Sequence, residues 1–283
     1  MAALYTPTEK GFDARLEAID RCQVGLLREL AGDLGSRLTL KGGMAMRASF
    51  GSLRLTKDID FDRDESIQQA TLKKNLERLL VRAAGPAGIR DPKVEITKDT
   101  NTTVRARLQG ALPDGTDVRF DVEVSGRRAP DKANVRAEIV TPPARYSMAP
   151  FPVQTYTNDA LAAMKIAAAL SEQRNAPRDL YDLRDLARAN ADPTLILSRQ
   201  RSELIGTWAN NALGKLEMLS YGLAQQELLP YLPPGDRGEL TEDAWVDATL
   251  AVAESIQTWC AGALRLQEVQ DAAQQHQVRE QRS

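Results

Sequence analysis

Hydrophobic and polar positions divide the chain into two kinds of pattern. Over residues 8–34, Leu16, Ile19, Val24, Leu26, Leu27 and Leu30 share one broad apolar face, and Gly32 and Gly35 mark its end, which predicts a helix from Thr8 to Leu34. Leu38-Thr39-Leu40 predicts a short strand running into Gly42-Gly43. A short helix follows from Met44 to Phe50, broken at Gly51-Ser52. Residues 58–62 alternate, with Ile59 and Phe61 on one face and acids on the other, as a strand requires. Residues 67–84 have helical spacing, with Leu72, Leu76, Leu79 and Leu80 as the stripe. Extended runs are predicted at 93–98, 103–108, 117–125 and 137–140. Between the second and third of these, Pro113-Asp114-Gly115 marks a hairpin turn.

Residues 144–157 are rich in proline and tyrosine and read as a connection. Everything beyond is helical in pattern: 158–172, 178–189, several helices from about 194 to 229, a turn at Pro230, Pro233, Pro234 and Gly235, and a long helix from 241 towards 270. The expected fold class is therefore α+β, with a mixed-sheet domain at 1–150 and an all-α domain at 151–283. No internal repeat is visible.

With 283 residues, 42% hydrophobic and 27% charged, the chain has the composition of a globular protein with ample core. A formal charge of -2 excludes a generally basic nucleic-acid coat, so any nucleic-acid contact needs a local basic surface. Cys22 and Cys260 form neither a disulfide framework nor a zinc motif, which favours a reducing, cytoplasmic setting. The single histidine, His276, lies in a polar tail, so a His-based triad or His-rich metal site is not expected. A metal here should be hard and oxygen-ligated, Mg²⁺ or Mn²⁺. No signal-peptide core or membrane-length apolar run is present.

The chemistry concentrates in Leu40-Lys41-Gly42-Gly43-Met44 followed by Asp58-Ile59-Asp60-Phe61. A strand that turns through two glycines into a helix offers backbone N–H groups to phosphate, with no side chain in the way. Asp58 and Asp60, two apart on a strand, project from one face and can share a divalent cation in phosphoryl-type transfer. A third acid is expected from a neighbouring strand, with Asp121 or Glu123 as candidates. Arg47 and Arg54 flank the turn and either hold phosphate or brace the acids. Lys165 lies among Ala162, Ala163, Met164, Ala167 and Ala168, an apolar setting that suits an ammonium reaching something anionic.

The runs Leu-Lys-Gly-Gly-Met-Ala-Met-Arg at 40–47, Arg-Leu-Thr-Lys-Asp-Ile-Asp-Phe at 54–61, Met-Lys-Ile-Ala-Ala-Ala-Leu at 164–170 and Arg-Asp-Leu-Tyr-Asp-Leu at 178–183 resemble the AbiEii family of nucleotidyltransferase-like toxins, related to the mycobacterial MenT toxins. With the strands between them, these signatures cover about residues 38–186. The resemblance implies a polymerase-β-like nucleotidyltransferase fold and the toxin half of a toxin–antitoxin or phage-defence pair. It implies an NTP as donor, tRNA as acceptor at its 3′ end, and a cognate antitoxin as partner. Matched position by position, it implies that Asp58 and Asp60 bind metal with Asp121, or failing it Glu123, as third acid. It further implies that Lys165 contacts the triphosphate and that Asp179 or Asp182 is the functional aspartate of the second signature. Gly42, Gly43, Arg47, Ser52, Arg54 and Lys165 make up the expected nucleotide-binding set. Met44 departs from the family pattern, which has a hydroxyl residue after the glycines. That contact passes to the backbone amides or to Ser52.

An RNA acceptor needs a basic track. Lys74, Arg78 and Arg82 form one helical line beside Lys73. Arg105 and Arg107, with Arg119, Arg127 and Arg128, form a second cluster around the predicted sheet. Competing readings are a transferase with a protein or small-molecule acceptor and a catalytically inactive nucleotide- or partner-binding module, the latter favoured by Met44. A metal-dependent phosphohydrolase fits less well, because such sites usually add histidines.

Overall fold

The computed structural model describes residues 12 and 14–280, apart from 51, 53 and 128. The predicted helix start at 8–11, the break at Gly51 and the cluster member Arg128 lie outside the described residues. The chain divides into two compact units, one of residues 1–157 with 230–238, the other of 158–229 with 239–283.

The first unit contains α1 (Ala14–Leu34), β1 (Leu38–Lys41), α2 (Gly42–Phe50), β2 (Ile59–Arg63), α3 (Gln69–Ala84), β3 (Arg90–Thr100), β4 (Thr103–Ala111), β5 (Asp117–Ser125), β6 (Val135–Val140) and β7 (Phe151–Tyr156). Seven strands form one sheet in the order β3-β4-β5-β2-β1-β7-β6. It is mixed: β2 runs parallel to β5 and β1 parallel to β7, while the other pairs are antiparallel. Strict alternation in β5 buries Val118, Phe120, Val122 and Val124 and turns Asp121 and Glu123 the other way. The four leucines of the α3 stripe are fully buried, each contributing about 1.5–3 kcal/mol relative to exposure. Leu27 and Leu30 of α1 line one small cavity with Leu38, Phe61 and Val153. The apolar face of β1, β2 and β7 is thereby covered, and the acids are left on the opposite face.

Residues 144–157 are not merely a connection. Residues 151–156 form β7, an internal strand between β1 and β6, so the first unit continues to residue 157. The segment 230–238 also belongs to this unit and is tied in by the Leu55 amide, which donates to the Tyr231 carbonyl at 2.7 Å.

The second unit is helical: α4 (Asn158–Ala169), α5 (Pro177–Arg188), α6 (Thr194–Leu197), α7 (Ser202–Glu217), α8 (Tyr221–Glu227) and α10 (Glu242–Glu280), with α9 (Pro234–Glu239) between them in the chain. Its core includes Leu180, Leu183, Leu186, Ile205, Leu216, Val252 and Ile256. The indole N–H of buried Trp245 donates to the Leu219 carbonyl at 2.6 Å. Among the described residues, no helix is long and apolar enough to cross a membrane.

Candidate active site

The glycine turn lies directly against the acids. Gly42 has φ +67°, a conformation open to glycine and costly for other residues. A Cβ there would sit 2.6 Å from Asp60 Oδ2. At Gly43 a Cβ would meet Thr56 Oγ1 at 2.8 Å and Arg54 Nη2 at 2.9 Å. Both glycines are therefore needed for close approach.

The parallel register of β2 and β5 places Ile59 opposite Val122 and Asp60 opposite Glu123. Asp58, one residue before β2, thereby falls beside Asp121, whose backbone amide donates to Asp58 Oδ1 at 3.3 Å. Asp58, Asp60, Asp121 and Glu123 are all part-exposed. Arg107 grips both carboxylate oxygens of Asp121, at 2.7 and 2.9 Å, whereas Arg105 donates to one oxygen of Glu123, Oε2, at 3.0 Å from its Nε and again from its Nη2. The next acid on the face, Asp62, is bound by Lys41 at 2.6 Å and by the Tyr156 hydroxyl at 2.8 Å. Burial raises the Tyr156 phenol well above its ordinary pKa, and the neighbouring Asp62 adds to that, so the hydroxyl stays a donor.

Among the described residues, no three His, Cys, Asp or Glu side chains are gathered into a metal-holding group. Arg107 turns the Asp121 carboxylate to itself. Asp58 and Asp60 alone still fit Mg²⁺, which takes one or two carboxylates and fills the rest of its octahedron with water and phosphate oxygens.

The flanking arginines separate by role. Arg47 is fully buried, paired with Asp20 at 3.1 Å, and donates to the Arg54 carbonyl at 2.9 Å. It braces α1, α2 and the 54–55 loop and exposes no surface to a phosphate. Arg54, 2% exposed, packs its guanidinium on Gly43 and donates to the Leu55 carbonyl at 3.2 Å. Ser52 is buried, and its hydroxyl has no hydrogen-bond partner among the described residues. Met44 is fully buried in the core.

In the second unit, Lys165 is not a surface lysine. Its ammonium bonds Asp179 at 2.8 Å and Asp182 at 2.6 Å, and Arg174 adds a 2.6 Å contact to Asp179. Both aspartates are fully buried and Lys165 is 7% exposed. Burial alone would raise the Asp179 carboxyl, but Lys165 and Arg174 beside it outweigh that and hold it at about 2. Two cations and two anions balance, as a buried cluster must.

The basic line on α3 is largely answered by acids. Arg78 pairs with Asp33, Arg82 with Glu29 at 2.8 Å, and Lys73 with Asp99 at 2.6 Å, while Lys74 is exposed.

A cleft of about 340 Å³ opens beside Asp58 and Asp121. Arg15 and Lys57 line it, together with Arg107, Arg119 and Tyr231. Lys57 Nζ lies 5.3 Å from the Tyr231 ring centroid. Sequence reasoning did not place Arg15 or Tyr231 here. Both stand far from the motif in the chain, one at a helix start and one in what reads as a turn. Sequence reasoning did not single out Asp62 or its partner Lys41 either, although strand alternation and the motif carried the signal. A larger hollow of about 450 Å³, bounded by Arg90, Lys93 and Asp117, opens at the strand ends without Asp58 or Asp60.

Residues 25–272 match the family model described as nucleotidyl transferase AbiEii toxin, type IV TA system. The fold is similar to the crystal structure of JHP933 from Helicobacter pylori, at TM-score 0.54 and 17% identity, covering 94% of this chain and 99% of that one. MenT4, nucleotidyltransferase toxin Rv2826c from Mycobacterium tuberculosis, aligns at TM-score 0.48 and 18% identity, covering 89% of this chain and 93% of that one. No curated relative matches the chain by sequence.

Proposed function

The chain belongs to the AbiEii nucleotidyltransferase toxin family, and from that premise we propose that it transfers a nucleoside monophosphate from an NTP to the 3′ end of an RNA, tRNA foremost, and so blocks translation and growth. In this reaction the acceptor hydroxyl oxygen attacks the α-phosphorus, the bond to pyrophosphate breaks, and the hydroxyl proton is lost to a base or water. The observation that carries the reading is the half-exposed carboxylate face of Asp58 and Asp60 with the Gly42-Gly43 turn packed against it.

In this reading Asp58 and Asp60 hold Mg²⁺ or Mn²⁺, which when bound supplies positive charge for the triphosphate and the leaving group. The Gly42 and Gly43 backbone receives phosphate, with Arg54 fixing the turn. Asp121, which lies beside Asp58, is the third acid in preference to Glu123, once its carboxylate is released from Arg107. Lys165, Asp179 and Asp182 are the functional set of the helical unit, assigned from the family signature. An antitoxin restrains the activity in the cell, and the protein acts in the cytoplasm.

The test is incubation of purified protein with Mg²⁺, each radiolabelled NTP in turn and bulk tRNA, with Asp58→Ala as control. Label on RNA that depends on Asp58 supports the proposal. Label on protein or a small molecule instead would move the acceptor. Met44 favours a second reading, an inactive binding module, because it fills the core where a phosphate-binding hydroxyl is usual. No label at all, with an Asp58→Ala variant as toxic as wild type, would establish that second reading.

A further inference from the structure

The cleft beside Asp58 and Asp121 is made of different chemistry from the glycine turn. The turn packs on Asp60 and offers backbone amides. The cleft offers an aromatic ring and cations, and neither glycine lines it. Its position over Asp58 and Asp121 sets it on the side of the carboxylates where the turn is not.

The aromatic wall is built with care. Tyr231 comes from the segment that returns to the first unit after most of the helical chain has been laid down. Its carbonyl accepts from the Leu55 amide at 2.7 Å. Arg237 staples the turn around it, donating to the Leu232 carbonyl at 3.0 Å and the Pro230 carbonyl at 3.1 Å. Lys57 Nζ lies over the part-exposed ring, 5.3 Å from its centroid, on one of its two faces. Arg15 and Arg119, both exposed, stand along the same cleft, and Arg15 is anchored by its Nε on the Asp117 carbonyl at 2.8 Å.

A ring flanked by spaced guanidinium groups suits one base and the phosphates running away from it, which is how single-stranded nucleic acid is held. The volume, about 340 Å³, suits one nucleotide. We infer that this cleft seats the 3′-terminal nucleotide of a single-stranded RNA acceptor, with its base on Tyr231 and its backbone phosphates on Arg15 and Arg119. The terminal hydroxyl then faces Asp58. The inference rests on the transfer reaction proposed above and adds where its acceptor lies.

The experiment measures binding without metal or turnover. A short fluorescein-labelled single-stranded RNA is titrated with the full-length protein by anisotropy, with the matching duplex as comparison. Radiolabelled ATP binding is measured in parallel. Tyr231→Ala should weaken RNA binding about tenfold, the scale of one lost base stack, and leave ATP binding as in wild type. Tyr231→Phe should bind as wild type. Arg119→Ala should weaken binding and reduce the slope of log affinity against log salt by about one, the mark of one lost phosphate contact. Unchanged RNA binding in both Tyr231→Ala and Arg119→Ala would overturn the inference, as would equal binding of the duplex. Equal loss of ATP and RNA binding in Tyr231→Ala would make the cleft the donor's and also overturn it. These outcomes are separate from the transfer reaction, which stands or falls on whether Asp58→Ala abolishes labelled product.

Discussion

The two acidic centres of this protein solve opposite problems. On the sheet, Asp58, Asp60, Asp121 and Glu123 lie part-exposed along neighbouring strands, where water screens them, with Arg107 on Asp121 and Arg105 on Glu123. In the helical unit, Asp179 and Asp182 are wholly buried, with Lys165 paired to both and Arg174 to Asp179. The exposed acids can take up a ligand with little reorganisation. The buried ones are bound into the fold, because each ion removed from such a cluster leaves another uncompensated. The same substitution therefore tests different things in the two places.

The largest effect should come from Asp58→Ala. Transfer should fall on the order of 10³-fold or more, since an ion held there contributes several kcal/mol of charge stabilisation. Stability should change by no more than about 1 kcal/mol, because the side chain is part-exposed. Labelled transfer and a thermal melt on the same preparation check both. A variant that melts early would erase the contrast between the centres.

Lys165→Met should instead cost about 3–5 kcal/mol of stability. All three tryptophans, Trp208, Trp245 and Trp259, lie in the helical unit, so their fluorescence in urea reports that unit. Adding Asp182→Asn removes the orphaned charge and should recover much of the loss. If transfer returned along with stability, Lys165 would be a structural residue alone. If stability returns without transfer, the Lys165–Asp182 pair acts in the reaction.

Gly42→Ala joins the two kinds of effect. The positive φ costs roughly 1–2 kcal/mol in any other residue, and the new methyl group would displace Asp60. Activity should fall further than stability does. A variant of wild-type activity would show that the close approach of turn and carboxylate is incidental.

The Asp179 carboxyl gives a pH signature to the buried centre. Its folded value of about 2 lies below the ordinary carboxyl value, so the ionised form stabilises the fold. That stability is complete above about pH 4 and is lost as pH falls from about 4 to 2. It amounts to roughly 2 kcal/mol. The urea midpoint of tryptophan fluorescence should drop across that window and drop much less in Asp179→Asn.

What could be read in advance follows the range of the forces involved. The alternation of β5 and the stripe of α3 are local, and both are borne out by burial. The nucleotidyltransferase fold and family were legible from two short signatures, because glycine and acid spacing is set by backbone geometry. β7 was missed, since Pro152 and the prolines before it argue against a strand. Pro152 is tolerated because it pairs with Ile139 of β6, while the contact with β1 is at Thr155. From its position Arg47 suits either a phosphate ligand or a brace, and its pairing with Asp20 of α1 could not be read from the motif. Tyr231 had no local signal at all. Its place beside Lys57 depends on the chain returning from the helical unit, which only tertiary structure reveals.

The smallest effect is the one that decides how the exposed centre works. Arg107 holds both oxygens of Asp121, and its own pKa is raised first by that hydrogen bond. Solvent screens an open pair of this kind, so Arg107→Ala should leave the melting temperature nearly unchanged. Yet it releases a carboxylate next to Asp58. Mn²⁺ affinity, measured by calorimetry without nucleotide, should then rise by about a few-fold at most. Arg105→Ala, which releases Glu123 one pair further along the strand, should raise it less. Weaker Mn²⁺ binding in Arg107→Ala would reverse the picture: the arginine would then be aiming Asp121 at the ion rather than withholding it. The open centre would share with the buried one a dependence on pairing that its exposure alone does not suggest.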